Sequence, residues 1–123
     1  MTRIGADPPQ GLPVLVAVQP ELPAVLQPAA VPASKETVLQ AIAQGFVSAV
    51  ASSVRAEILG AELEIEVPLS TTIHRIEAGT RLLVGVFAQI HPQNGVPWDG
   101  IHRGKVTWYD IRAPRTLTYE PPL

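Results

Sequence analysis

Seven of the thirteen prolines in this 123-residue chain fall within its first 33 residues: Pro8, Pro9, Pro13, Pro20, Pro23, Pro28 and Pro32. A proline removes an amide donor and biases the residue before it towards an extended conformation, so this density predicts neither a helix nor a central strand there. Between the prolines lie apolar runs, Leu12 to Val18 and Leu22 to Leu26, and the only charges are Arg3, Asp7 and Glu21. Disordered linkers are poor in such apolar residues. The expectation is an extended, sticky arm over residues 1–33 that lies along a partner, with Leu15 and Val16 among its contacts.

Where the prolines stop, a helical pattern starts. Ser34 is placed to cap a helix amino end, Glu36 suits the positive end of the helix dipole, and Gly60 is a natural stop. Val38, Ile42, Phe46, Val50, Val54 and Ile58 recur every fourth residue, which predicts one long amphipathic helix from Ser34 to about Leu59. A second row along it, Ala41, Gly45, Ala49 and Ser53, holds only small residues and would let another subunit approach closely. Gln40, Gln44, Ser48, Ser52 and Arg55 argue against a membrane span.

From Ala61 the apolar period shortens to two, with Leu63, Ile65 and Val67 alternating with Glu62, Glu64 and Glu66. That is the pattern of a half-buried strand. Further strands are expected over 71–76, 80–90, 105–111 and 115–119; the third of these five, apolar on both faces at residues 82–87, suits a sheet centre. The sequence therefore predicts an α+β domain over residues 34–123: one long helix laid on a roughly four-stranded antiparallel meander, preceded by the proline-rich arm. A single core is expected, with Val38, Ile42, Phe46 and Val50 packed on Leu63, Ile65, Leu82, Val84 and Val86. Basic residues Arg75, Arg81, Lys105, Arg112 and Arg115 are expected across from the acidic row.

The chemistry-bearing residues are few. A net charge of −2 without a basic run argues against nucleic acid as a partner, and the lack of cysteine excludes thiolate chemistry and disulfides. Asp7 and the two following prolines interrupt the apolar stretch a signal peptide needs, so the expectation is a cytoplasmic protein or part of a cytoplasmically assembled particle. His74, His91 and His102 lack the spacing of a metal motif, and no nucleophile elbow or phosphate loop occurs, so no catalytic residue, metal or cofactor is assigned. The most information-rich stretch is the loop from His91 to Gly104, where Trp98, Asp99, His102 and Arg103 could supply an aromatic platform, an acceptor and cationic groups. Turn dipeptides at Asn94-Gly95 and Asp99-Gly100 favour the plainer role of packing that loop on the sheet.

Two functions follow. The arm and the small-residue row point to a non-enzymatic assembly protein, a subunit of a homo-oligomer or of a larger particle of the virion, tail or secretion-apparatus type, whose partners are other copies of itself or other subunits. The alternative is a small-molecule or peptide-binding domain, or an enzyme, with its site at the loop 91–104.

Overall fold

The computed structural model describes residues 12–19, 22–87 and 106–122. An interior strand of its main sheet is one that the proline count argued against. Val14–Val18, β1, is buried along its whole length and pairs in parallel with two neighbours. Pro13 and Pro20 flank the run instead of interrupting it, which leaves a continuous apolar strand of the kind that parallel pairing on both sides selects. The carbonyl of Pro13 even accepts a hydrogen bond from the Val47 amide, at 2.9 Å. Ala30–Ala33, β2, also joins the sheet, at its edge, where Pro32 withholds a donor at little cost. The described part of the expected arm is thus corrected: it supplies two strands of the domain's own sheet.

The long helix is corrected as well. It is two helices, Lys35–Ile42 (α1) and Ser53–Leu63 (α2), separated by the two-residue strand Val47–Ser48 (β3). Ser34 caps α1 as expected, its hydroxyl accepting from the Thr37 amide at 3.1 Å. Gly45 then adopts a φ of 116°, a conformation open to glycine and poorly tolerated by other residues, and the helix cannot pass through it. Ser52 caps the second helix through the Arg55 amide. Gly60, expected as a stop, lies inside α2, and Ala61 to Leu63 add its last turn where a strand was expected.

The remaining strands are His74–Ile76 (β4), Arg81–Phe87 (β5), Val106–Arg112 (β6) and Leu117–Tyr119 (β7). The antiparallel meander is replaced by a mixed five-stranded sheet of order β2-β6-β5-β1-β3, with β4 and β7 forming a separate antiparallel pair. The class remains α+β. Strand β5 is central, as its two apolar faces predict, and its alternation divides the core in two. Leu83 and Phe87, with Leu15 and Trp108, pack under Val38, Ile42, Val50, Leu59 and Leu63 of the helical layer. Leu82 and Val84, with Val14, Val16 and Ile111, pack on the opposite face against Leu26, Ile76 and Ala113, flanked by Leu117 and Tyr119. The single core expected from sequence therefore set Val38, Ile42, Phe46, Val50, Leu63 and Ile65 on the wrong face of β5: Leu82, Val84 and Val86 point to the other side of the sheet.

Close approach is required at Gly85, where a Cβ would lie 2.8 Å from Leu59 and 3.0 Å from the Trp108 ring. That glycine lets α2 and the indole settle on the sheet. Removing residues 1–33 deletes an interior strand and an edge strand, so the remainder should show no cooperative thermal transition by circular dichroism. Leu15→Ala should cost about 2–5 kcal/mol in urea unfolding, whereas Val31→Ala on the exposed edge should stay within about 0.5 kcal/mol.

Candidate interaction site

An open groove lies along α2. After Leu63 the chain reverses at Glu64, which takes a left-handed conformation with φ 58° and ψ 43°. The Ile65 amide then donates back to the Gly60 carbonyl at 3.1 Å. A Cβ on Gly60 would meet the Ile65 carbonyl oxygen at 2.7 Å, so the missing side chain is what lets the returning segment lie against the helix. That segment alternates buried and exposed residues much as the period of two predicted, yet it pairs with no strand and leans on α2 instead. Between them runs an open groove of about 430 Å³. Ser53, Ala56, Glu57, Gly60 and Ala61 form one wall, and Ile65, Glu66, Val67 and Leu69 the other.

The far end of the segment is fastened to the sheet edge. The Ser48 hydroxyl donates to the Pro68 carbonyl, and the Ser70 amide donates to the Val50 carbonyl at 2.8 Å. These bonds flank Leu69, which is 53% exposed; Ile73, four residues on, is 62% exposed, and Val54 in the first turn of α2 is 52% exposed. Glu57, Glu62 and Glu66 make no ion pair among the described residues; only Glu64 of the acidic row does, with Lys35 at 3.9 Å. Of the expected cross-strand basic partners, Lys105 lies outside the described residues, and none of the others pairs with Glu62, Glu64 or Glu66 among the described residues. Arg81 grips Asp110 with a guanidinium nitrogen at 2.7 Å, and this hydrogen bond raises the arginine pKa above its ordinary value. Arg75 meets Glu77 at 3.5 Å.

Beside the groove, Ser70, Thr72 and His74 form a polar clasp. The Ser70 hydroxyl lies 3.0 Å from His74 Nε2 and 3.1 Å from the Thr72 hydroxyl. A serine next to an imidazole is the first element of a nucleophilic site, but such a site also needs a group to orient the imidazole and donors for an oxyanion. Among the described residues no partner meets the other ring nitrogen, and the Ser70 amide is already given to Val50. Among the described residues there is also no cluster of three or more metal-ligating side chains, and no helix is long and apolar enough to cross a membrane.

The residues singled out in the sequence fall as follows. Trp98, Asp99, His102 and Arg103 lie outside the described residues. Leu15 and Val16 are buried inside the sheet, at 0% and 3% exposure. The small-residue row is not one helix face: Ala41 is in α1, Gly45 in the turn after it, Ala49 buried beyond β3, and Ser53 at the start of α2, where it lines the groove. The sequence reading missed Leu69 and Ile73. Their signal was an apolar residue on each side of Ser70-Thr71-Thr72, where a polar loop would be expected.

No protein-family model matches the chain, and a comparison with curated proteins finds no relative.

Tyr119 stands opposite His74 in the β4–β7 register. Burial raises its pKa above the usual tyrosine value of 10.0, with the Arg55 guanidinium opposing the shift. A folded pKa above the unfolded one means that the phenol proton is held more tightly in the native state. Its contribution to stability is complete below pH about 10 and is lost as pH rises through the folded value. Tyr119→Phe should therefore flatten the fall in stability above pH about 10, measured by denaturant unfolding across an alkaline series.

Proposed function

We propose that this chain is a non-enzymatic assembly protein, a subunit of a homo-oligomer, that meets its neighbours through the face formed by α2 and residues 65–73. The observation that carries this reading is the exposed side chain of Leu69 on the wall of the groove, with Val54 exposed in the first turn of α2 and Ile73 exposed four residues beyond Leu69. A single exposed apolar residue is ordinary on any protein, but one that lines a groove among other apolar side chains fits a contact surface. The arm plays no part in this reading, since the described part of it is committed to the sheet.

A second reading, a ligand-binding or hydrolytic domain, draws on the Ser70–His74 hydrogen bond alone. Ser70→Ala separates the two. Under the assembly reading it leaves self-association intact, whereas a hydrolytic site would lose all turnover of an activated ester.

Leu69→Lys and Ile73→Lys should each convert the protein to a monomer in light scattering after size exclusion. The melting of each variant should stay within about 0.5 kcal/mol of the parent's monomer, as expected for exposed positions. A parent that is monomeric at every concentration tested would sink the assembly reading.

A further inference from the structure

Resting on that reading, we propose that copies join head to tail, the α2 groove of one subunit receiving the basic turn at residues 112–116 of the next. The groove carries a carboxylate on each wall, Glu57 on the helix and Glu66 on the returning segment, neither with an ion-pair partner among the described residues. Pairing this face with itself about a two-fold axis would bring these four carboxylates together without a cation between them. Like charges in a closing interface disfavour that arrangement. A complementary surface exists elsewhere on the chain.

At the end of the sheet beyond the Arg81–Arg112 pair, two turns are locked together. The Gly79 amide donates to the Ala113 carbonyl at 2.8 Å, and the Ala113 amide donates to the Thr80 carbonyl at 2.9 Å. Arg112 and Arg115 stand exposed on either side of the exposed Pro114, and neither has a carboxylate partner among the described residues. The turn therefore presents an apolar ring between two guanidiniums, and the groove presents an apolar floor between two carboxylates. Arginine and carboxylate form the strongest charge-assisted pairs available to side chains. The two surfaces do not meet within one chain. Leu59 of α2 sits over Gly85, and the basic turn lies beyond Arg81, four residues or about 13 Å further along β5. An interface made of two different patches generates rings or filaments.

The test uses the full chain and two double variants, Glu57→Lys with Glu66→Lys in the groove and Arg112→Glu with Arg115→Glu in the turn. Sedimentation velocity at about 50 mM salt should show the parent in species larger than a dimer, dissociating as salt approaches about 500 mM. Each double variant alone should associate about tenfold more weakly or worse. Mixed, they should again form species larger than a dimer, because the Arg turn of one meets the Glu groove of the other and the reversed Glu turn meets the reversed Lys groove. Circular dichroism melts identify any variant that has lost its fold, in which case Glu66→Gln and Arg115→Gln replace it. A parent that assembles while the mixture stays monomeric overturns the head-to-tail arrangement. A turn variant that assembles like the parent does the same, and if Leu69→Lys is then monomeric the assembly reading stands without it.

Discussion

The parallel pairing of β1 on both sides is the constraint on which the rest depends. A parallel neighbour cannot be reached by a tight hairpin, so the chain must cross over the sheet between β1 and β3, and again between β3 and β5. The first crossing carries β2 and α1, and the second carries α2, the groove and β4. A helix running unbroken from residue 34 to 59 would leave β1 with no partner on its outer side. Gly45 and Ser52 are the two points at which the sequence yields to this demand, one by stopping a helix and the other by starting the next.

Much of this was legible locally and misleading globally. The Ser34 cap, the apolar pair Val38 and Ile42, and the double-faced strand at Leu82 to Val86 all reflect interactions within a few residues, and they stand where the pattern put them. The four-residue repeat from Val38 to Ile58 failed for a definite reason. Val50 is buried from the connector after β3, and Val54 is exposed at the start of a new helix, so their spacing satisfied a helical rule that neither obeys. The proline count failed similarly, because what matters to a strand is the uninterrupted stretch between prolines and not their density. Leu69 and Ile73 were beyond local pattern altogether. Nothing near them in sequence records that Ser48, twenty residues before Pro68, anchors their segment to a sheet edge.

The groove is sustained by a conformation that costs energy. A non-glycine residue in the left-handed region is disfavoured by about 1–2 kcal/mol, and Glu64 occupies it. Gly60, inside α2, adds roughly 1 kcal/mol against alanine. Both are offset by the burial of Leu63 and Val67 on either side of the reversal, each worth about 1.5–3 kcal/mol. The reversal and its buried flanks therefore act as one unit, which fixes the distance between the helix and the returning chain.

Sheet edges are the commonest unguarded sites for joining one β protein to another, and here both are obstructed. Strand β2 has only four residues and carries Pro32, which has no amide to offer a new strand. Strand β3 has two residues, and beyond it the Ser48 to Pro68 and Ser70 to Val50 hydrogen bonds lay the loop across the opening. Docking through an added strand, which the mixed sheet would otherwise invite, has no free ladder to build on at either side. Away from those two edges, the described residues offer a side-chain surface on which the exposed Leu69 and the carboxylates of Glu57 and Glu66 line one groove. The hydrogen bonds that close the β3 edge are the same ones that hold Leu69 outward. Protecting the sheet and presenting the contact surface are thus a single structural arrangement.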